Sequence, residues 1–96
     1  MKPLSESDRA SLLPALDGWS VDAERDALTK RFTFGSFNEA FGWMTRVALE
    51  SERMNHHPEW RHNHRTVDVV LTTHSAGGLT RRDVELAQRM DQIAAV

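Results

Sequence analysis

All five histidines of this 96-residue chain fall between positions 56 and 74: His56, His57, His62, His64 and His74. Imidazole is the side chain whose unperturbed pKa, about 6.5, lets it give and take protons near neutral pH. His56 and His57 are adjacent, so their rings point in different directions and need not serve the same atom. Pro58 follows, fixing its own φ and biasing His57 away from helix, which makes the step a rigid corner. Glu52 stands four residues before His56, and Trp60 two residues after Pro58. Taken alone, the histidine pair reads equally well as a helix terminus, where a cationic imidazole favours the helix dipole. With His74 and Glu52 as neighbours the cluster reads as chemistry.

Other chemistries fit the residues less well. His62-x-His64 places two rings on one face of a strand, a spacing metals use. The chain has no HExxH and no cysteine, though, and no clear carboxylate partner at helical spacing for this pair, so no metal site is expected. Ser51 and Ser75 lack the context of an activated nucleophile. Gly77-Gly78 before a helix is read as a turn rather than an anion cradle. Asp83, three residues after Thr80, suits a capping box at least as well as a ligand contact. Trp60 and Trp19 suit either a pocket wall or a core. What remains is a general acid and a general base on one substrate, which addition, elimination and tautomerisation all require.

The elements that must hold these residues follow from pattern. Ser5 caps a first helix to Leu16 with Pro14 inside it, and Asp17-Gly18 ends it. Trp19-Ser20-Val21 begins something extended, and Asp22 to Asp26 is a charged turn. Ala27 to Phe34 reads as a strand with Phe32 and Phe34 toward the core. Ser36-x-x-Glu39 opens a helix to Met54, with Phe37, Ala40, Phe41, Met44, Val47, Ala48 and Ser51 forming its inward stripe. Glu59 to Asn63 and Thr66 to Thr73 read as a hairpin turning at Asn63-His64-Arg65, with Val67, Val69, Leu71 and Thr73 inward. Thr80 caps a last helix that turns Leu86, Ala87, Met90, Ile93 and Ala94 inward. The expected fold is α+β: a two-layer sandwich, a four-stranded antiparallel sheet with three helices on one face, residues 1–96 forming a single domain.

Composition narrows the class. Apolar residues make up 40% and charged residues 27%, and the net charge is -2. There is no basic footprint for direct nucleic-acid binding and no polybasic membrane patch. The absence of cysteine suits a reducing cytoplasm. Neither a signal-peptide pattern nor a membrane-spanning length is read.

The run Glu52-x-x-x-His56-His57-Pro58-Glu59-Trp60, then Thr73-His74, then Gly78-Leu79-Thr80-x-x-Asp83, resembles the pterin-4a-carbinolamine dehydratase family. Leu16-x-Gly18-Trp19, Lys30-x-Phe32-x-Phe34 and Phe37-x-x-Ala40-Phe41 extend the resemblance over roughly Leu12 to Ala94. It departs at His64, where the family has an aromatic such as tyrosine. The resemblance implies a cofactor-free hydro-lyase that takes 4a-hydroxytetrahydropterin to quinonoid dihydropterin, downstream of an aromatic amino acid hydroxylase. By motif, His56, His57 and His74 are the catalytic set. His56 and His74 exchange protons while His57 orients the pterin, although spacing alone leaves these roles interchangeable. Glu52, Pro58, Trp60 and Asp83 are the residues expected to bind or shape around substrate. A homodimer or homotetramer is also implied. In animals the family doubles as a dimerisation cofactor of a homeodomain transcription factor, so the alternative reading is a non-catalytic binding module on the same fold.

Overall fold

Ser36 starts the longest helix. Its hydroxyl accepts the Glu39 N–H at 3.1 Å, one of the donors that a helix start leaves orphaned, and the Glu39 carboxylate reaches back to the N–H of Gly35, the residue before the cap, at 2.9 Å. In the computed structural model, which describes residues 1–96, this helix, α2, runs Phe37–Met54. The other elements are α1 (Glu6–Leu12), β1 (Ser20–Asp22), β2 (Ala27–Thr33), β3 (Glu59–Asn63), β4 (Thr66–Leu71) and α3 (Arg81–Ala94). Short 3₁₀ turns at Leu13–Ala15 and His74–Ala76 join them. The first helix is thus shorter than expected. Pro14 supplies no N–H and sits in the first turn of the 3₁₀ segment, where none is needed.

The four strands form one antiparallel sheet in the order β1-β2-β4-β3. Register places Phe32 against Val67, Lys30 against Val69 and Trp60 against Val69, so these residues share the helix-facing side. The same register puts Arg31, Asp68, Arg61, Glu59 and Val70 on the opposite, open side. Val67, Val69, Leu71 and Thr73 are buried, as the alternation predicts. The β3–β4 turn passes through His64 at φ 55, whose carbonyl accepts from the His62 ring at 2.7 Å. The departure at His64 therefore lies in an exposed hairpin turn.

One expectation about α2 needs correcting. Its inward stripe is Ala40, Trp43, Val47 and Ser51, while Phe37, Phe41 and Ala48 are exposed. Trp43 is fully buried because its indole N–H finds the Met90 carbonyl at 3.1 Å, satisfying the one polar atom of a large apolar side chain. Phe32 and Phe34 pack against it in tilted arrangement, at 4.4 and 5.2 Å between ring centroids. Phe37 and Phe41 lie at the flank of the helix, over the β3 edge of the sheet, and stack with His62. On α3, Leu86, Ala87 and Met90 are buried, with Ile93 and Ala94 partly so.

The loop between β4 and α3 is locked by Asp26, a left-handed residue at φ 51. Its carboxylate takes two hydrogen bonds from Arg9, at 2.7 and 2.8 Å, and a third from the Leu79 N–H at 3.0 Å. Gly78 lies hard against it. A Cβ there would stand 2.1 Å from Asp26 Oδ2. Gly78→Ala is therefore expected to displace Asp26 and cost about 1–3 kcal/mol, the usual penalty of overpacking, read from urea denaturation.

The Arg9 hydrogen bonds hold the Asp26 carboxyl below its ordinary range, with help from the Leu79 N–H and against the opposing pull of partial burial. A depressed folded-state pKa contributes stability that is fully present above the unfolded carboxylate value, about 3.9, and is lost as pH falls through the folded value. Asp26→Asn should thus be less stable than wild type at pH 7, with the gap between their denaturation midpoints narrowing as the pH is taken below 4.

Candidate functional site

The corner that carries the histidines is made by the end of α2. Asn55 adopts the left-handed conformation at φ 53, which asparagine tolerates better than most residues, and stops the helix. The chain reverses, and the His56 N–H closes back on the Ser51 carbonyl at 3.0 Å. This turns the His56 ring inward, toward the first turn of α3, and leaves His57 outward. Pro58, partly buried, then leads into β3.

His56 is 8% exposed and its Nε2 lies 2.6 Å from Oδ1 of Asp83, which is fully buried. The other Asp83 oxygen accepts the Thr80 N–H at 2.9 Å and the Thr73 hydroxyl at 2.8 Å. Thr73, having given its proton to Asp83, accepts from the Thr80 hydroxyl at 2.9 Å. A chain of donors thus converges on one carboxylate, fixing Asp83 as an acceptor and the His56 proton on Nε2. His56 Nδ1 has no protein partner. The one fully buried side-chain polar atom without a partner is Ser51 Oγ, so Nδ1 is not sealed inside and reaches solvent. The capping box expected at Thr80 and Asp83 is present, and the same aspartate also orients a histidine.

The other two histidines are exposed and each has its own carboxylate. His57 Nε2 lies 2.9 Å from Glu52 Oε1. His74, first residue of the 3₁₀ turn, has Nε2 3.5 Å from Glu59 Oε2. That Glu59 oxygen accepts from Arg25 at 2.8 Å, and the Arg25 hydrogen bond, reinforced by the His74 charge, holds the Glu59 carboxyl below its ordinary range.

Two adjacent pairs therefore split alike across the sheet end. In each, one member turns inward and meets Asp83 (His56 and Thr73), and the other turns outward to a surface carboxylate (His57 and His74). Asp83 ties residue 56 to residue 73, and Glu59, two residues after His57, ties to His74. The two histidine-bearing segments are stitched together on both sides. No group of three or more His, Asp or Glu side chains is arranged to hold a metal ion.

Trp60 shares the inward face, with its ring 6.2 Å from Trp43 and packed against the core. It also borders a hollow of about 340 Å³ on the sheet, lined with Glu59, Arg61, Asp68 and Val70. Trp19 lies edge-on to Phe32 and donates to Asp91, two turns further along α3 than Asp83. It packs at the other end of that helix from the histidines. His62 and His64 belong to the hairpin.

Sequence reasoning missed Glu59, Arg25 and Thr73. For Glu59 a signal existed. The sequence alternation gives Val70, Thr72 and His74 one parity, although β4 itself ends at Leu71, and Glu59 pairs with Val70. For Thr73 and Arg25 the pattern held no comparable sign, because their partners are set by the packing of α3 and by the β1–β2 turn.

Removing the Asp83 carboxylate should leave His56, Thr73 and the Thr80 N–H buried without their acceptor. Asp83→Ala is expected to lose about 3 kcal/mol or more in urea denaturation, and Asp83→Asn, which keeps an acceptor oxygen, distinctly less.

The family model described as Pterin 4 alpha carbinolamine dehydratase matches residues 2–93. A Bradyrhizobium sp. protein provisionally named a pterin-4-alpha-carbinolamine dehydratase is 61% identical over 92 residues, covering 96% of this chain and 93% of its own length. A Rhodopseudomonas palustris protein with the same provisional name is 54% identical over 95 residues, covering 99% and 94%. Among solved structures, a transcriptional coactivator/pterin dehydratase from Brucella melitensis superposes with a TM-score of 0.92 at 44% identity, covering 97% of this chain and 99% of the other. A pterin dehydratase-like protein identified as a RuBisCO assembly factor in the alpha-carboxysome gives a TM-score of 0.71 at 26% identity, covering 80% and 89%.

Proposed function

Because the chain belongs to the pterin-4a-carbinolamine dehydratase family, we propose that it dehydrates a 4a-hydroxytetrahydropterin to the quinonoid dihydropterin by histidine acid–base catalysis. The observation that carries this reading is the pairing of each motif histidine with its own carboxylate: His56 with Asp83, His57 with Glu52 and His74 with Glu59. A carboxylate on one ring nitrogen fixes the orientation of an imidazole and stabilises its protonated form, leaving the other nitrogen to work on substrate.

The chemistry has two proton demands. Hydroxide is a poor leaving group, so the C4a hydroxyl must be protonated as its bond breaks. The N5 proton must then find an acceptor as the N5 electrons form the double bond to C4a. Under this assignment His74 in its protonated form gives a proton to the departing oxygen, and His56 takes the N5 proton on Nδ1. His57, tied to Glu52, orients the pterin, and exchange with solvent resets both transferring rings. Glu52, Pro58, Trp60 and Asp83 serve as contacts or supports around the substrate, Asp83 by way of His56.

The proposal extends to context. The activity would support tetrahydropterin recycling behind an aromatic amino acid hydroxylase in the cytoplasm, with the protein a homodimer or homotetramer as its family implies. No helix is long and apolar enough to cross a membrane.

A second reading has its own observation. Phe37 and Phe41 are each 55% exposed and stack with each other and with His62, an apolar surface of the kind that docks partners. With a structural neighbour identified as an assembly factor, a non-catalytic binding module on this fold is the alternative.

The test is the dehydration rate of freshly generated 4a-hydroxytetrahydropterin, with chelator present. Wild type is expected to accelerate it, and the exposed His74→Ala to lose about 10²–10⁴-fold, the usual worth of a positioned acid or base, while remaining folded. His56→Ala, which also leaves the buried Asp83 short of a partner, is expected to lose as much activity and some stability. A folded wild type that gives no acceleration would favour the binding module.

A further inference from the structure

We infer that Glu59 is a positioning residue for His74, and that Arg25 in turn holds Glu59 in place. The inference rests on the dehydratase reading but adds two residues that the histidine motif does not assign a role. Glu59 is the first residue of β3, paired with Val70 on the open face of the sheet. Glu59 is anchored in the strand ladder, whereas the His74 side chain is 81% exposed on its 3₁₀ turn, and Glu59 is the carboxylate it meets. Left to itself, a side chain that exposed samples many rotamers, and ordering it at the moment of reaction costs entropy. A carboxylate 3.5 Å from Nε2, at ion-pair rather than hydrogen-bond distance, favours the ring that carries a proton there and leaves Nδ1 as the nitrogen that meets substrate.

Arg25 completes the arrangement. It lies in the turn between β1 and β2, and its guanidinium donates to the same Glu59 oxygen that faces His74. Its charge keeps that carboxylate ionised and fixes which oxygen points at the imidazole. The order of support runs from turn to strand to histidine: Arg25, Glu59, His74. The parallel with His56 is close in function and opposite in setting. His56 is held by a buried carboxylate fed by neutral donors, His74 by a surface carboxylate fed by a cation.

A residue that acts through His74 has nothing to add once His74 is gone, which makes a double-mutant cycle decisive. Glu59→Ala is expected to lower kcat about 10-fold with little change in KM, the scale on which second-layer partners act on the residues they orient. In a His74→Ala background the same change should alter kcat less than about 2-fold. Arg25→Ala should fall in the same direction as Glu59→Ala, and Arg25→Lys should recover part of the loss. Thermal unfolding should move little in any of these variants, since an exposed pair contributes little to stability. Equal losses from Glu59→Ala with and without His74, or no loss in either, would overturn the inference. Nitrogen-15 NMR of the His74 ring gives a readout independent of turnover. The fraction protonated at Nε2 should fall in Glu59→Ala, and an unchanged tautomer ratio would overturn the contact. If wild type shows no dehydratase activity, that failure belongs to the dehydratase reading alone, and the tautomer measurement still decides this one.

Discussion

One buried carboxylate organises this protein. Asp83 has no exposed surface, yet accepts from a backbone N–H, a hydroxyl and an imidazole that come from three separate stretches of chain. A carboxylate in such a place is tolerable only when its oxygens are fully occupied, because an unpaired charge in an apolar interior costs several kcal/mol. The same hydrogen bonds that satisfy Asp83 also start α3, close the loop after β4 and aim His56. Structure and site are therefore not separable here. What stabilises the helix start also sets the tautomer of the histidine.

A second, weaker organisation runs over the surface. Asp26 joins the N-terminal helix to the loop before α3, and Lys30 with Trp19 joins β2 and the segment before β1 to Asp91 near the end of α3. The last helix is thus gripped at both ends, by buried groups at its start and by partly exposed ones near its finish. His57 and His74, by contrast, sit where water competes for their carboxylates. The fold fixes one histidine firmly and leaves the other two freer to meet a ligand.

Much of this was legible in the sequence, and the reason is local. The hairpin of Glu59 to Asn63 with the strand from Thr66 (read as far as Thr73, though it ends at Leu71), the capping box at Ser36, and the inward parity of Val67, Val69 and Leu71 all follow from periods of two or from caps three residues apart. The histidine motif was legible for another reason: its residue types are rare elsewhere in the chain. The inward stripe of α2 was misread because the stripe drawn through Phe37 and Phe41 left Trp43 out. What chose Trp43 was a hydrogen bond to Met90, 47 residues away, which no periodicity can reveal. Asp83 was half legible. Its distance from Thr80 showed the cap, while its hold on His56, 27 residues earlier in the chain, depends on how α3 docks.

The dependence of His56 on the start of α3 has a consequence for the order in which the site comes into being. Chain is made from the N-terminus, and α2, with the corner at His56 and His57, emerges well before Asp83. The β3–β4 hairpin between them is built of near neighbours and closes quickly, on the scale of about 1–10 μs for such an element. His56 stays without its acceptor until α3 has been synthesised and seated. A nascent or C-terminally shortened chain therefore has every histidine of the motif and no assembled site, so competence for chemistry arrives together with completion of the core.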